Sequence, residues 1–346
     1  MDLVFRNAVQ LRVAELLEDA VNQADVRPRR YNHRCDAFDL PERQFIKLFR
    51  LNKRVTNHVI DIVEQYSDEP RRSSALDATI QVLTTLRFLA SGSYQLDIGQ
   101  NVNMAISQPS VSRSIKKVTS ILVRPEVFGT WVKFPNNLQS LLEVQNRFWT
   151  KHHFPGVIGC IDCTHVAIFP PPRDDVNFPE HIYVNRKGYH SINVQLICDS
   201  NLKIMNVSAR YPGTTHDTYI WNNSNVLPLM RELHNRDHRL YLLGDSGYAL
   251  RPWMMTPILN DNLSAAEINY NKRQMSTRSI IERFLHNMCV HNDIPDPVPE
   301  PGDEILDLGI HPVNNADENN ILGRHGNPEL RAGRQLRDSI IRQYFM

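Results

Sequence analysis

No apolar run in this 346-residue chain approaches the roughly 20 residues a helix needs to span a bilayer, so a membrane span is not expected. The start, Met1-Asp2-Leu3-Val4-Phe5, lacks the basic stretch and apolar core of a secretory leader, and none is expected. Five cysteines are too few for a disulfide scaffold at this length and point to a reducing compartment. A phosphatase of small substrates would need a compact phosphate pocket, and there is no glycine-rich phosphate loop to build one. Internal repeats are absent. So is strong net charge, which is only +1.

The distribution of charge says more than its sum. Residues 1–150 carry 20 Lys and Arg against 16 Asp and Glu, and residues 151–285 carry 14 against 12. Residues 286–346 carry 5 against 10. A mildly basic front with local cationic patches can hold phosphates, and an acidic tail hides it in the total. Ordinary solvated surface gives similar numbers. With 41% hydrophobic and 22% charged residues the chain has a globular balance and enough length for two domains.

Residues 1–150 read as an all-helical region. Leu11 to Val21 forms a first helix, 27–36 a basic loop, and two further helices follow through Phe45–Phe49 and Val55–Val63. Residues 68–74 form a polar, basic linker. The stretch 75–90 is apolar on most sides, so its helix is expected to be buried and to stop at Gly92. A short helix over 94–104 precedes one opened by Ser107 and Pro109, with an apolar stripe of Val111, Ile115, Val118 and Leu122. Gln108, Ser112, Arg113, Lys116 and Lys117 fall largely outside that stripe. One packed face and one short, polar, cationic face make residues 75–122 look like a helix-turn-helix with these five residues toward nucleic acid. A plain amphipathic surface helix has the same pattern. Another helix covers 131–149.

The periodicity then changes. Val157 to Ile161 reads as a strand ending at Asp162, which Val166 to Ile168 can extend. Residues 190–198 and 203–209 form a hairpin about Asp199-Ser200-Asn201. A helix near 216–224, a strand over 240–243 ending at Asp245, a short strand in 253–258 and a helix over 276–290 complete an α/β core spanning 151–292. Residues 293–328 are a Pro-rich acidic linker of the disordered type, and 329–346 a final helix.

Two strand-end carboxylates, Asp162 and Asp245, and one helix carboxylate, Glu282, can converge on a hard divalent cation. Pairs of such cations cleave phosphodiester bonds. Each acid also has a bland role: Asp162 and Asp245 as turn residues, and Glu282 as the i,i+4 ion-pair partner of Arg278. Cys160 and Cys163 have a zinc-like spacing without a second ligand pair, so packing is expected.

The order of several strings resembles the PIF/Harbinger transposases, and more closely the Harbinger transposase-derived nucleases of animals. They are Phe88-Leu89-Ala90-Ser91-Gly92-Ser93-Tyr94, Ser107-Gln108-Pro109-Ser110-Val111-Ser112-Arg113 and Gly159-Cys160-Ile161-Asp162-Cys163-Thr164-His165. Next come Lys187-Gly188-Tyr189-His190-Ser191-Ile192-Asn193-Val194-Gln195 and Tyr211-Pro212-Gly213-Thr214-Thr215-His216-Asp217. The last are Gly244-Asp245-Ser246-Gly247-Tyr248, Tyr270-Asn271 and Arg278-Ser279-Ile280-Ile281-Glu282-Arg283. The resemblance implies an RNase H-like nuclease core with a mixed sheet flanked by helices, and DNA as substrate. It implies Asp162, Asp245 and Glu282 as the catalytic, metal-binding acids, with Asp217 a fourth carboxylate near Mg²⁺ or Mn²⁺. Asp217 can equally cap its helix, and His165 and His216 can orient carboxylates, touch a phosphate or be structural. The family further implies a separate Myb-like DNA-binding partner. A nuclear location is expected, with the cytoplasm as a second.

The chain departs from the family in two places. Cys163 stands where Gly usually follows the first acid. After Glu282-Arg283 it runs directly into Phe284-Leu285-His286-Asn287, where relatives carry a Phe-Gly-containing helix with a Lys and several tens of residues more. The missing segment would leave apolar surface uncovered and favour self-association, as a homo-oligomer or an aggregate. It also keeps a second class of function open, a domesticated DNA- or protein-binding module without catalysis.

Overall fold

The computed structural model describes residues 34–68, 75–173, 175–291 and 327–346, with 283–291 by backbone alone. The helix expected at 11–21, residues 27–33 of the basic loop, most of the linker at 68–74 and nearly all of the acidic linker after 292 lie outside these residues.

The chain divides between Arg124 and Pro125 into two compact units. Among the described residues the first has five α-helices: α1 (Glu42–Phe49), α2 (Lys53–Gln65), α3 (Ala78–Ser91), α4 (Gln95–Gln100) and α5 (Gln108–Leu122). Their ends are set by local chemistry. Asn52 accepts from the Val55 N–H at 2.8 Å and Asp77 from Ile80 at 2.7 Å, so two orphan donors are satisfied at helix starts. Gly92 ends α3 with φ of 61° and returns its N–H to the Phe88 carbonyl, at the expected stop. α3 is buried on most sides, as its sequence required. Leu83 packs into a cluster with Phe45, Phe49, Ile98, Met104 and Val111. Val82 packs into another with Ile60, Val63, Val118 and Ile121. Gly99 lets α4 approach the turn before α5, because a Cβ there would lie 2.5 Å from the Ile106 carbonyl oxygen.

The second unit opens with α6 (Pro125–Trp131) and α7 (Leu138–His152). The sequence alone predicts a single helix here, over 131–149, and assigns it to the front region, ending near residue 150. Instead Leu141, Val144 and Phe148 enter the same core as Val157, Ile158 and Leu242. Their apolar stripe has a partner under the sheet, and that partner decides the boundary.

The sheet has five strands in the order β3-β2-β1-β4-β5. They are β1 (Val157–Ala167), β2 (Ser191–Cys198), β3 (Ile204–Pro212), β4 (Tyr241–Leu243) and β5 (Met254–Met255). β2 runs antiparallel to both its neighbours, β1 and β3, whereas β4 and β5 run parallel to β1. The expected hairpin is present, and Asp199 tightens its turn by accepting from the Asn201 and Lys203 N–H groups at 2.8 and 3.0 Å. The strand expected over 253–258 shrinks to two residues. α8 (Asp217–Asn222) and α9 (Leu227–Asn235) connect the halves of the sheet. α10 (Ala265–His291) starts earlier than its sequence pattern indicated and runs unbroken past Glu282. What the junction after Glu282 leaves uncovered falls on side chains outside the described set. α11 (Pro328–Tyr344) forms as expected, and Phe345 after it packs against Phe154 and Tyr270, with ring centroids 5.3 and 5.8 Å away. The result is a mixed α/β core flanked by helices.

Candidate active site

Asp162 lies within β1, not at its end. Past it, Cys163 to Ala167 stay paired with Gln195 to Ser191 of β2. The ladder to β2 satisfies the backbone of the polar Cys163-Thr164-His165 and keeps it extended. On the other side β4 stops at Leu243, opposite Cys160. Asp162 therefore stands where β1 outruns β4 and one edge opens. Asp245 follows Leu243 by two residues, as Asp162 follows Cys160, so the parallel register brings the two acids together.

Glycines shape the loop that holds Asp245. A Cβ on Gly244 would lie 2.8 Å from the Tyr248 ring, and one on Gly247 would lie 3.1 Å from Asp245 Oδ1. The Gly247 N–H donates to that oxygen at 3.0 Å. Burial, then the charge of Asp245, pushes the Asp162 carboxyl up to about 7. The Arg278 guanidinium and the Cys163 N–H, 2.8 Å from Asp162 Oδ1, act in the opposite direction.

α10 delivers Arg278 and Glu282, and a row of polar side chains fixes the helix first. Asn271 accepts from the Ile258 N–H at 2.9 Å and donates to its carbonyl at 3.0 Å. Gln274 donates to the Gly244 carbonyl at 2.8 Å, next to Asp245. Residues 271, 274, 278 and 282 share one helical face. Arg278, its side chain 4% exposed, places Nη2 2.6 Å from Glu282 Oε1 and Nη1 3.9 Å from Asp162 Oδ2. Glu282 thus reaches the first acid through an arginine, and its i,i+4 role is realised.

Strand alternation puts Cys163 and His165 on the opposite face of β1, beside Gln195 and Asn193. Asn193 donates to Asp217 Oδ1 at 2.9 Å, so Asp217 belongs to that face. Its charge contributes least among the causes of the Asp162 shift. Gln195 donates to the Tyr248 hydroxyl at 3.1 Å, and that hydroxyl lies 3.3 Å from Cys163 Sγ. Thr218 donates to the Gly247 carbonyl at 2.5 Å and ties α8 to the Asp245 loop. His165 Nδ1 lies 3.0 Å from Ser191 Oγ, and burial lowers its pKa, which favours a neutral imidazole. His216 is the N-cap residue of α8, and its side chain makes no capping hydrogen bond. Cys160 points the other way from Cys163, into the core, 3.6 Å from the Thr277 carbonyl, so the two do not form a zinc pair.

In the first unit, Gln108, Ser112, Arg113 and Lys116 are exposed on α5 and Lys117 is half-exposed, while Val111, Ser114, Val118 and Ile121 are buried. Gln108 donates to Gln95 at 2.9 Å, which joins α5 to α4.

Among the described residues no group of three or more His, Cys, Asp and Glu side chains is disposed to hold a metal ion. Asp162 and Asp245 do fit one in chemistry. They are adjoining hard oxygen donors whose mutual repulsion a divalent cation would relieve. Glu282 is engaged by Arg278. Sequence reasoning missed Gln274, the Arg278–Asp162 contact, and the network of Asn193, Gln195 and Tyr248. Their only early signal was the polar spacing on the helix and their presence in the matching strings.

Residues 161–289 match a family model described as DDE superfamily endonuclease. The chain is 32% identical over 252 residues to the Homo sapiens protein named "Putative nuclease HARBI1", covering 72% of this chain and 69% of that one. The Xenopus laevis protein of the same name is 29% identical over the same shares. "Protein ALP1-like" of Arabidopsis thaliana is 25% identical over 70% of this chain and 62% of its own length. No solved structure matches.

Proposed function

The chain belongs to the Harbinger transposase-derived nucleases of the DDE superfamily, and from that membership we propose that it cuts DNA phosphodiester bonds with a divalent metal, by hydrolysis or strand transfer. The observation that carries this reading is the Asp162–Asp245 pair. One carboxylate within β1 and another in the loop just past its parallel neighbour β4, the first pushed up to about 7, form an electrostatically costly arrangement that a cation would stabilise.

In this reading Asp162 and Asp245 hold Mg²⁺ or Mn²⁺, and Glu282 closes the trio from α10. Bound there, such a cation would supply Lewis acidity toward water or a 3′-hydroxyl and toward the phosphodiester. The chain's own residues prepare the site. Asp162 sheds its proton to become a ligand. The Gly247 N–H fixes one oxygen of Asp245, and Gln274 holds the preceding carbonyl so that the loop keeps its place. Asp217 supports the site from the other face of β1 through Asn193.

We read the five-stranded sheet as the RNase H-like core, and residues 75–122, α3 to α5, as a helix-turn-helix whose Gln108, Ser112, Arg113, Lys116 and Lys117 meet DNA. A Myb-like partner protein and a nuclear place of action are part of the same proposal. A second reading, a DNA- or protein-binding module without catalysis, is favoured by the 2.6 Å pairing of Glu282 with Arg278.

Supercoiled plasmid separates the two. The purified chain is expected to nick it with MnCl₂, to stop on chelation, and to lose the activity in folded Asp162→Ala and Asp245→Ala variants. Binding of DNA with no Mn²⁺-dependent nicking would leave the second reading.

A further inference from the structure

We propose that the connection from β1 to β2, residues 168–190, holds an unpaired stretch of a DNA strand, with Arg186 and Lys187 on its phosphates and Phe169 stacked on a base. This rests on the nuclease reading above and specifies its substrate.

β1 and β2 are antiparallel neighbours, which a turn of about 2–5 residues can join. Here the connection runs from Ile168 to His190, with one 3₁₀ turn at Glu180–Tyr183. Loops longer than about 12–15 residues are uncommon in compact domains and usually functional. This one is firmly built. The Ile168 N–H donates to the His190 carbonyl at 3.0 Å, and Val184 pairs with His190 from its other side. Glu180 ties the outer arm to that base, with Oε1 3.1 Å from His190 Nε2 and Oε2 3.2 Å from Arg173 Nε. The Ile182 carbonyl accepts from the Thr214 N–H and hydroxyl at 3.0 and 2.8 Å.

Buried Asn185 fixes the turn at the inner end. Its Oδ1 accepts from the Lys187 N–H at 2.9 Å, its Nδ2 donates to Ser191 Oγ at 2.9 Å, and Gly188 takes a φ of 81°. Arg186 and Lys187 stand exposed on this turn. Among the described residues neither forms an ion pair, so both charges are available to phosphates.

Phe169 follows the pinned Ile168 and is 97% exposed. Pro170 restricts its backbone to extended conformations, so the ring is presented at a reduced entropic cost. Neighbouring strands lie about 4.8 Å apart, so Ile168 and Val184, on either side of His190, stand roughly 10 Å apart. The aromatic and the cationic turn therefore spring from one base. A bare ring beside free cations suits a single strand, whose bases stack on the ring while its phosphates meet the charges. An apolar protein surface would use the ring and leave both cations unanswered. At the rise of an extended strand Ile168 lies roughly 20 Å beyond Asp162, so the hold acts on the flank of the cut.

The test measures DNA binding by the full chain in EDTA, where no cleavage intervenes. Fluorescence anisotropy is read on a labelled single strand and on the blunt duplex of the same sequence. Wild type is expected to bind both. Phe169→Ala is expected to weaken single-strand binding by roughly 5- to 150-fold, the loss of one stacked base, and to leave duplex binding unchanged. Phe169→Trp, which keeps a stacking face, is expected to retain single-strand binding. Replacing Arg186 and Lys187 together with Ala is expected to lower the slope of log affinity against log salt on the single strand by about 1.4. All three side chains are exposed, and melting temperatures check that the variants fold. Full single-strand affinity in Phe169→Ala, equal losses on single strand and duplex, or an unaltered slope in the paired variant overturns the inference. So does a wild type that fails to bind the single strand, and Mn²⁺-dependent nicking then still decides the nuclease reading. The expected binding effects without any nicking would overturn the nuclease reading alone and leave the strand hold to a DNA-binding module.

Discussion

Asp162 and Asp245 stand side by side because Cys160 and Leu243, each two residues earlier, are partners on parallel strands. The ladder from β1 to β4 therefore starts the Asp245 loop beside Asp162, and the Gln274 and Gly247 hydrogen bonds hold it there. This has a direct effect on stability. Asp162 is held near 7 in the folded chain against an ordinary 3.8. Between those values the folded state keeps a proton that the unfolded state has released. Stability therefore falls as pH rises from about 4 to 7, and the loss persists above 7. Asn at this position has no such penalty. Asp162→Asn is expected to be more stable than wild type at pH 8 by on the order of 2–4 kcal/mol, with the advantage shrinking toward pH 4. Urea unfolding of the metal-free proteins at both pH values checks this. Equal stability at pH 8 contradicts the raised carboxyl.

Gln274 has a second consequence. Its buried amide is the link between α10 and the loop carrying Asp245. Gln274→Ala strands the Gly244 carbonyl, at a cost of about 1–3 kcal/mol. It also loosens the Asp245 carboxylate, so Mn²⁺ affinity is expected to fall together with melting temperature. A variant that melts lower yet binds Mn²⁺ unchanged would reduce Gln274 to a packing role.

The exposed face of α5 is open to an independent check. Arg113, Lys116 and Lys117 lie away from its buried side chains. If each contacts a duplex phosphate, replacing all three with Ala lowers the slope of log affinity against log salt by about 2.7. Fluorescence anisotropy across a range of KCl measures the slope. An unaltered value makes α5 an ordinary surface helix.

Much of this site was legible in the chain. Asp162 and Asp245 each follow a short apolar run, and glycines flank the second, so a strand and a tight loop were readable locally. Arg278 and Glu282 show their i,i+4 spacing on the page. Their meeting with Asp162 does not, because it depends on α10 docking across the sheet through Asn271 and Gln274. The extension of β1 past Asp162 was legible only in part, through Val166 to Ile168, for a similar reason. Cys163-Thr164-His165 is strand only because β2 pairs with it. The division between Arg124 and Pro125 was illegible as well. The stripe of Leu141, Val144 and Phe148 suits any core, and only the sheet shows which one it enters.

The central claim is that Asp162 and Asp245 together form the cation seat. Calorimetric titration of Mn²⁺ into wild type, Asp162→Ala and Asp245→Ala, each shown to be folded, tests it most directly. Saturable binding to wild type and its loss in both variants is the predicted result. Unchanged Mn²⁺ affinity in folded Asp162→Ala would contradict it.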